Sequence, residues 1–116
     1  MIEIDGEEGL GINDNDEVVG WLPDTGQGFA WTASAGLTVI PNGIAMTINN
    51  SGQVAGRTDG GSVQQAYIWE GGEAKLLPMP ENRDFSWAMS INEAGWIVGW
   101  STDVNGNEYA NLWTPN

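Results

Sequence analysis

Acidic residues are the most numerous side chains in this sequence that could carry out chemistry. Sixteen Asp and Glu stand against three Lys and Arg among 116 residues, and the chain has neither His nor Cys. Without imidazole or thiol groups, zinc sites built on His or Cys, Ser-His-Asp triads and cysteine nucleophiles are all excluded. What remains is carboxylate chemistry, such as calcium binding or glycoside hydrolysis.

Neither kind of carboxylate chemistry has a matching pattern. The stretches "NDND" (Asn13–Asp16) and "DVNGNE" (Asp103–Glu108) offer oxygen ligands, but both lack the calcium-loop spacing of Gly at the sixth position and Glu at the twelfth. A glycosidase needs two carboxylates roughly 5 to 10 Å apart, and no pair stands out. "DTGQGFAW" (Asp24–Trp31) resembles the Asp box of sialidases, which hold substrate with three arginines, whereas this chain has two. We therefore predict no metal, no cofactor and no enzymatic activity.

The overall charge narrows the choice of partners. A formal net charge of -13 repels phosphate backbones and anionic lipid headgroups, so neither nucleic acid nor membrane is predicted as a partner. The 41% content of hydrophobic residues is enough for the core of one globular domain. The opening "MIEIDGEEG" has neither a basic nor a long apolar stretch, so it does not predict an export signal.

The elements that position these residues repeat three times. "AMTINNSGQVAG" (residues 45–56) is nearly rewritten as "AMSINEAGWIVG" (88–99), and "GLGINDNDEVVG" (9–20) is a fainter copy. The Ile-Asn pairs inside the copies are 36 and 43 residues apart; they are Ile12-Asn13, Ile48-Asn49 and Ile91-Asn92. A period of this length is typical of solenoids and propellers.

Each copy has the pattern of four short strands. Apolar residues alternate, and the breaks are rich in Asn, Asp and Gly, which favours hairpins over helices. In the second copy the strands are predicted at 44–48, 53–58, 65–69 and 73–77. Four strands repeated radially form a propeller blade. The prediction is an all-β β-propeller with three four-stranded blades, in a single domain of residues 1–116 with repeats at about 9–41, 45–80 and 88–116.

Three repeated residue types are predicted to be structural anchors: the Ile of each copy (Ile12, Ile48 and Ile91), the Asn that follows it, and a Trp. One Trp stands at a matching point of each third strand, in "GFAW", "AYIW" and "ANLW" (Trp31, Trp69 and Trp113), and is expected to pack between neighbouring blades. The repeated Asn (Asn13, Asn49 and Asn92) is expected to accept a backbone N–H two residues further on. This would open a turn whose left-handed position falls to Gly52, Gly95 and, in the first copy, Asp16.

The repeated pattern resembles a known family. Ala-x-Ser/Thr-Ile-Asn-x-x-Gly-x-Val-x-Gly, followed by an aromatic-aliphatic-Trp strand, resembles the HAF repeat, a "probable extracellular repeat" of bacterial and phage-associated proteins. The resemblance spans essentially the whole chain, although Gln65 stands where the family has its His. It implies a propeller-like all-β fold and an extracellular location, and it implies no established chemistry.

The two ends of the repeat array predict self-assembly. The third copy has no counterpart of the fourth strands "GLTVI" and "EAKLL", whereas "MIEID" (residues 1–5) precedes the first copy with Ile2 and Ile4 in alternation. We expect residues 1–5 to pair with the strand of Leu112 in a neighbouring subunit, since propellers close in this way and leave no free edge. Three blades are too few for a ring. A homodimer with six blades is expected, and a homotrimer with nine is the alternative.

Two readings of function remain open after the repeats are assigned. Trp21, Arg57 and Trp100 follow the blade glycines, and Trp87 lies in the longest loop between repeats; aromatic and polar side chains together are typical of glycan sites. A lectin-like module that binds carbohydrate through these four residues is therefore the alternative. The predicted function is a self-assembling, non-catalytic scaffold, either engineered or an excised repeat fragment.

Overall fold

The fold consists of strands alone. A computed structural model describes residues 1–4, 8–41, 43–58 and 64–115, and within them eleven strands form three antiparallel sheets with no helix. Sheet 1 contains β1 (Glu8–Ile12), β2 (Val18–Leu22), β3 (Gln27–Thr32) and β4 (Gly36–Ile40). Sheet 2 contains β5 (Gly43–Ile48), β6 (Val54–Thr58), β7 (Ala66–Glu70) and β8 (Glu73–Leu76). Sheet 3 contains β9 (Arg83–Ile91), β10 (Ile97–Asp103) and β11 (Glu108–Trp113).

Each sheet is a simple meander in which every strand pairs with the next one along the chain. The four strands predicted for the second repeat agree with β5–β8 within one residue at every boundary. Sheet 3 has three strands, as the sequence indicates, and β11 is its edge. The all-β class is confirmed, and each described sheet is open. Three of the predictions include residues outside the described ranges: Asp5 of the segment 1–5, residues 59–63 of the second repeat, and Asn116 of the third repeat.

The repeated Asn residues build the predicted turns. The Oδ1 atoms of Asn13, Asn49 and Asn92 each accept the backbone N–H two residues on, at 3.0, 3.1 and 3.1 Å. Each also accepts the N–H four residues on. The left-handed positions are Asp16 at φ 59°, Gly52 at φ 84° and Gly95 at φ 87°. The role predicted for these Asn turns is therefore confirmed.

A β-bulge recurs at one place in every sheet. The pairing register of the first two strands shifts at Leu10 in sheet 1, at Met46 in sheet 2 and at Met89 in sheet 3. An extra residue there bends the first strand and increases its twist. A glycine of the second strand lies opposite each bulge, and close packing explains why no larger residue stands there. A Cβ at Gly56 would collide with the carbonyl oxygen of Ile44, and one at Gly99 with that of Trp87.

Substitution of Gly56 by Ala is expected to destabilise the subunit by about 3 kcal/mol, because the new methyl group has no room beside backbone that cannot move freely. The matched control is Gly9→Ala, which introduces the Ala that the other two repeats have at this position. A Cβ at Gly9 would have its nearest neighbour at 3.8 Å, so its effect should stay within about 1 kcal/mol. Chemical denaturation of both variants measures the difference; equal losses would contradict the steric explanation.

The core lies between successive sheets. β5 packs across β1–β3, and β9 packs across β5–β7. We call the side of a sheet that meets the following sheet its front face, and the side that meets the preceding sheet its rear face. One cluster joins Val19 and Ile40 of sheet 1 to Ala45, Ile48, Val54 and Tyr67 of sheet 2. The other cluster joins Ala55, Ala66 and Leu77 to Ala88, Ile91, Ile97 and Trp113.

Candidate functional site

Three of the four predicted ligand-binding residues come together. The guanidinium carbon of Arg57 in β6 lies 3.4 Å from the centroid of the Trp87 ring in β9. The rings of Trp87 and Trp100 have centroids 4.7 Å apart and are tilted by 43°. The contact arises because Trp87 and Trp100 are direct cross-strand partners in β9 and β10 and because β9 packs across β6. The prediction that Trp87 lies in a loop is wrong, because β9 already begins at Arg83. We call this group the Arg–Trp stack.

Gln64 adds a polar group to the Arg–Trp stack. Its side-chain oxygen accepts a hydrogen bond from Trp87 Nε1 at 2.9 Å. Arg57, Trp87 and Trp100 are all half-buried, so each has both a packed and a solvent-facing part. An indole beside a cation and an amide can stack against the C–H face of a sugar and bind its hydroxyl groups.

Trp21, the fourth predicted ligand-binding residue, stands apart from the stack. It lies in β2 of sheet 1 and is half-buried. Its Nε1 is buried and has no hydrogen-bond acceptor among the described residues. An indole N–H in that position costs free energy unless water or another group accepts from it. The structure therefore places Trp21 at an equivalent strand position without joining it to the other three residues.

The three anchor tryptophans differ in their surroundings. Trp113 is buried in the cluster between sheets 2 and 3, and its Nε1 donates to the carbonyl oxygen of Pro78 at 2.7 Å. Trp69 is half-buried and packs on the cluster between sheets 1 and 2. Trp31 is half-buried on the rear face of sheet 1, which has no preceding sheet. Packing between sheets is thus observed for Trp113 and Trp69.

The Asn turns also connect the sheets to one another. Asn13 Nδ2 donates to the backbone oxygen of Asn49 at 2.9 Å, and Asn49 Nδ2 donates to the backbone oxygen of Asn92 at 3.0 Å. The residue after each Asn forms a second link. Asp14 N–H donates to Asn50 Oδ1 at 2.7 Å, and Asn50 N–H donates to Glu93 Oε1 at 2.9 Å. We call this series the Asn ladder; the sequence predicted its turns but gave no indication of its rungs.

The two outermost faces are uncovered. Val98, on the front face of sheet 3, is 47% exposed, whereas its counterparts Val19 and Ala55 on the inner front faces are fully buried. Leu112, beside Val98, is 57% exposed, whereas its counterparts Ala30 and Ile68 are half-buried. Ile12, on the rear face of sheet 1, is 64% exposed, whereas its counterparts Ile48 and Ile91 are buried. The same repeat positions are therefore buried where a neighbouring sheet is present and exposed where none is.

The predicted seam residues are accessible. Ile2 is 75% exposed and Ile4 is half-buried, and residues 1–4 form no strand in the structure. Leu112 lies on β11, whose second edge has no neighbouring strand within the described residues. An unpaired edge of this kind readily accepts another strand.

A second polar cluster lies at the tip of sheet 3. Tyr109 Oη donates to Asp103 Oδ2 at 2.9 Å, and the guanidinium carbon of Arg83 lies 3.8 Å from the Tyr109 ring. Hydrogen bonds from Asn107, with further bonds from Tyr109 and Asn105, lower the pKa of Asp103 from 3.8 to about 2. The bond to Asp103 raises the pKa of Tyr109. Asp103 thus holds the "DVNGNE" turn by accepting the N–H groups of Asn105 and Asn107.

Sequence reasoning missed this cluster because its members are cross-strand neighbours of a hairpin whose register no motif reveals. It also missed a groove of about 560 Å³ between the two outer strands of sheet 2 and the end of sheet 3. Ile68, Leu77, Ile97 and Trp113 line the groove, with Lys75 at its rim.

Among residues 1–4, 8–41, 43–58 and 64–115, no three acidic side chains gather as metal ligands. In the same part of the chain, no helix has the length and hydrophobicity needed to cross a membrane. Comparison of the chain with family models, with curated proteins and with solved structures found no match.

Proposed function

We propose that this protein is a non-catalytic scaffold that assembles with a second copy of itself into a six-bladed β-propeller. The observation that carries the proposal is the contrast between inner and outer faces: Val98 and Ile12 are exposed, while their repeat counterparts are buried. Soluble proteins rarely leave such apolar faces in water. The front face of sheet 3 and the rear face of sheet 1 have the same residue types as faces that already pack together.

A second copy is the occupant that fits both faces at once. The front face of sheet 3 on one subunit would cover the rear face of sheet 1 on the other, as sheet 1 meets sheet 2 within the chain. Because the two contacting faces differ, the contact is heterologous and can close only as a ring. Two copies give six blades, within the usual range of four to eight.

The N-terminal strand would complete sheet 3 across the seam. Ile4 precedes Ile12 by eight residues, as Ile40 precedes Ile48, which matches residues 1–4 to the end of β4. In sheet 1, Ala30 pairs with Thr38 and Gly28 with Ile40. The pairs of sheet 2 give the same alignment. The expected seam register therefore places Ile2 opposite Leu112 and Ile4 opposite Ala110.

The proposal that the protein lacks catalysis rests on the hydrogen bonds of its buried hydroxyl groups. Ser101 Oγ donates to the amide oxygen of Asn111 at 2.6 Å, and an amide oxygen is not a general base. Ser86 Oγ accepts the backbone N–H of Ala66 at 2.8 Å. The buried Tyr67 hydroxyl donates to the backbone oxygen of Ile44, and burial raises its pKa. Each group satisfies backbone or amide partners instead of activating a nucleophile.

Native mass spectrometry and light scattering at micromolar concentration test the assembly. The expected mass is twice the 12.4 kDa of the chain. Three times that mass would keep the seam and change the ring to nine blades. A monomer at these concentrations would overturn the proposal. The HAF-repeat resemblance is compatible with this assembly and remains a prediction.

The Arg–Trp stack favours carbohydrate binding as a second candidate function. A glycan array, followed by titration of any binding glycan, tests it through quenching of Trp fluorescence. Trp100→Ala should abolish both signals, while Trp96→Ala, an exposed Trp outside the stack, should leave them intact. Binding that survives Trp100→Ala, or the absence of any binding glycan, would contradict this function.

A further inference from the structure

We propose that the Asn ladder continues from one subunit into the next through Asn92, which donates its side-chain N–H to the backbone oxygen of Asn13 of the partner subunit. The inference rests on the proposed assembly and identifies the polar contact that fixes how the faces meet. Asn92 occupies the ladder position of Asn13 and Asn49 and forms the same turn.

Of the three Asn side chains in the ladder, Asn92 is the one whose Nδ2 has no acceptor among the described residues. Asn13 Nδ2 and Asn49 Nδ2 each donate twice, to the backbone oxygen of the next ladder Asn and to a side chain four residues on. Asn92 Nδ2 has no acceptor among the described residues, and Asn92 is exposed, whereas Asn49 is buried. At the other end, within the described residues, the backbone oxygen of Asn13 accepts one N–H, that of Asp16. That of Asn49 receives both Gly52 N–H and the ladder bond.

The second rung points to the same pairing. The backbone N–H of Asp14 donates to Asn50 Oδ1, and the N–H of Asn50 donates to the Glu93 carboxylate. If this series of hydrogen bonds continues across the seam, the N–H of Glu93 donates to the carboxylate of Asp14 of the partner subunit. Both rungs run from an earlier repeat to a later one, which is the direction in which front face meets rear face.

The rungs assign a specific function to this surface. Apolar faces alone would tolerate sliding, since hydrophobic burial is not directional. Two directional hydrogen bonds per seam restrict the contact to one alignment, in which residues 1–4 also reach β11. The Asn92–Glu93 turn therefore serves as the register contact for a second copy of this chain.

The test uses Asn92→Asp in the full chain. The carboxylate still accepts the N–H groups of Ala94 and Trp96, as Asp103 does in its own turn, but it has no N–H to donate. The dimer dissociation constant, measured by sedimentation, should rise about 30-fold for one lost bond at each of two seams. The unfolding temperature of the dilute monomer should not change. Asn105→Asp adds the same charge in an exposed turn away from the seam and should leave dimerisation unchanged.

A comparison variant separates an assembly role from a turn role. Asn13→Asp removes the donor that bonds to Asn49 within the chain, so it should lower the stability of the monomer itself. If the wild-type protein dimerises and Asn92→Asp dimerises equally well, the ladder inference is wrong while the proposed assembly stands. If the wild-type protein is monomeric, the proposed assembly fails as well. A loss of monomer stability in Asn92→Asp would also overturn the inference, because it would mark an internal role.

Discussion

Removal of residues 1–5 is expected to convert the dimer into folded monomers at micromolar concentration. In the single chain these residues join no sheet, and Ile2 is 75% exposed, so the monomer should keep its fold without them. At each seam the deletion removes Ile2 and Ile4 and the ladder hydrogen bonds beside β11. Lost apolar burial on the order of 3 kcal/mol per seam would weaken a two-seam ring on the order of ten-thousandfold. Sedimentation velocity measures the mass, and near-ultraviolet circular dichroism of the tryptophans checks the fold.

Point substitutions distinguish side-chain burial from backbone pairing at this strand. Ile4→Ser retains the strand but should weaken assembly strongly, because Ile4 aligns with the buried residues Ile40 and Leu77. Glu3→Ser is the matched control, since Glu3 aligns with Val39 and Leu76, which are exposed in the outer strands of sheets 1 and 2. Deletion that leaves the dimer intact would show that this strand does not seal the ring, even if the faces pair.

Local chemistry explains why most of the fold could be predicted from the sequence. Asn at the start of each turn, followed by Gly or Asp in the left-handed position, has few alternative conformations. The alternation of Leu37 and Val39 around the polar residue Thr38 favours a strand over an amphipathic helix. These signals depend only on neighbours along the chain, so the bounds of β5–β8 followed from the sequence.

The candidate sites were less predictable because they depend on register between sheets. The contact of Arg57 with Trp87 requires β9 to pack across β6, and no residue type in the sequence predicts that packing. The bulges at Met46 and Met89 shift every later residue of the strand by one position. A shift of one residue reverses the face on which a side chain lies. Trp21 illustrates why sequence position alone does not predict a site. It occupies the same repeat position as Trp100, but its surroundings differ.

Placing a charge on either uncovered face is expected to abolish assembly. Ile12→Asp lies on the rear face of sheet 1 and Leu112→Asp on the front face of sheet 3, at side chains 64% and 57% exposed in the single chain. The monomer should tolerate both changes because water reaches these positions. In the ring each Asp would be buried against an apolar face, a cost of several kcal/mol at each seam. The dimer dissociation constant should rise at least about a thousandfold, as measured by sedimentation equilibrium.

The matched control and a mixing experiment test whether front face meets rear face. Leu76→Asp alters a side chain 55% exposed on the outer strand of sheet 2, which has neighbouring sheets on both sides, so assembly should persist. In a mixture, the Ile12→Asp subunit keeps an intact front face and the Leu112→Asp subunit keeps an intact rear face. The two should form a heterodimer joined by one wild-type seam, visible by native mass spectrometry although neither variant pairs alone. If instead two front faces paired with each other, Leu112→Asp alone would dissociate the dimer, Ile12→Asp would not, and mixing would restore nothing.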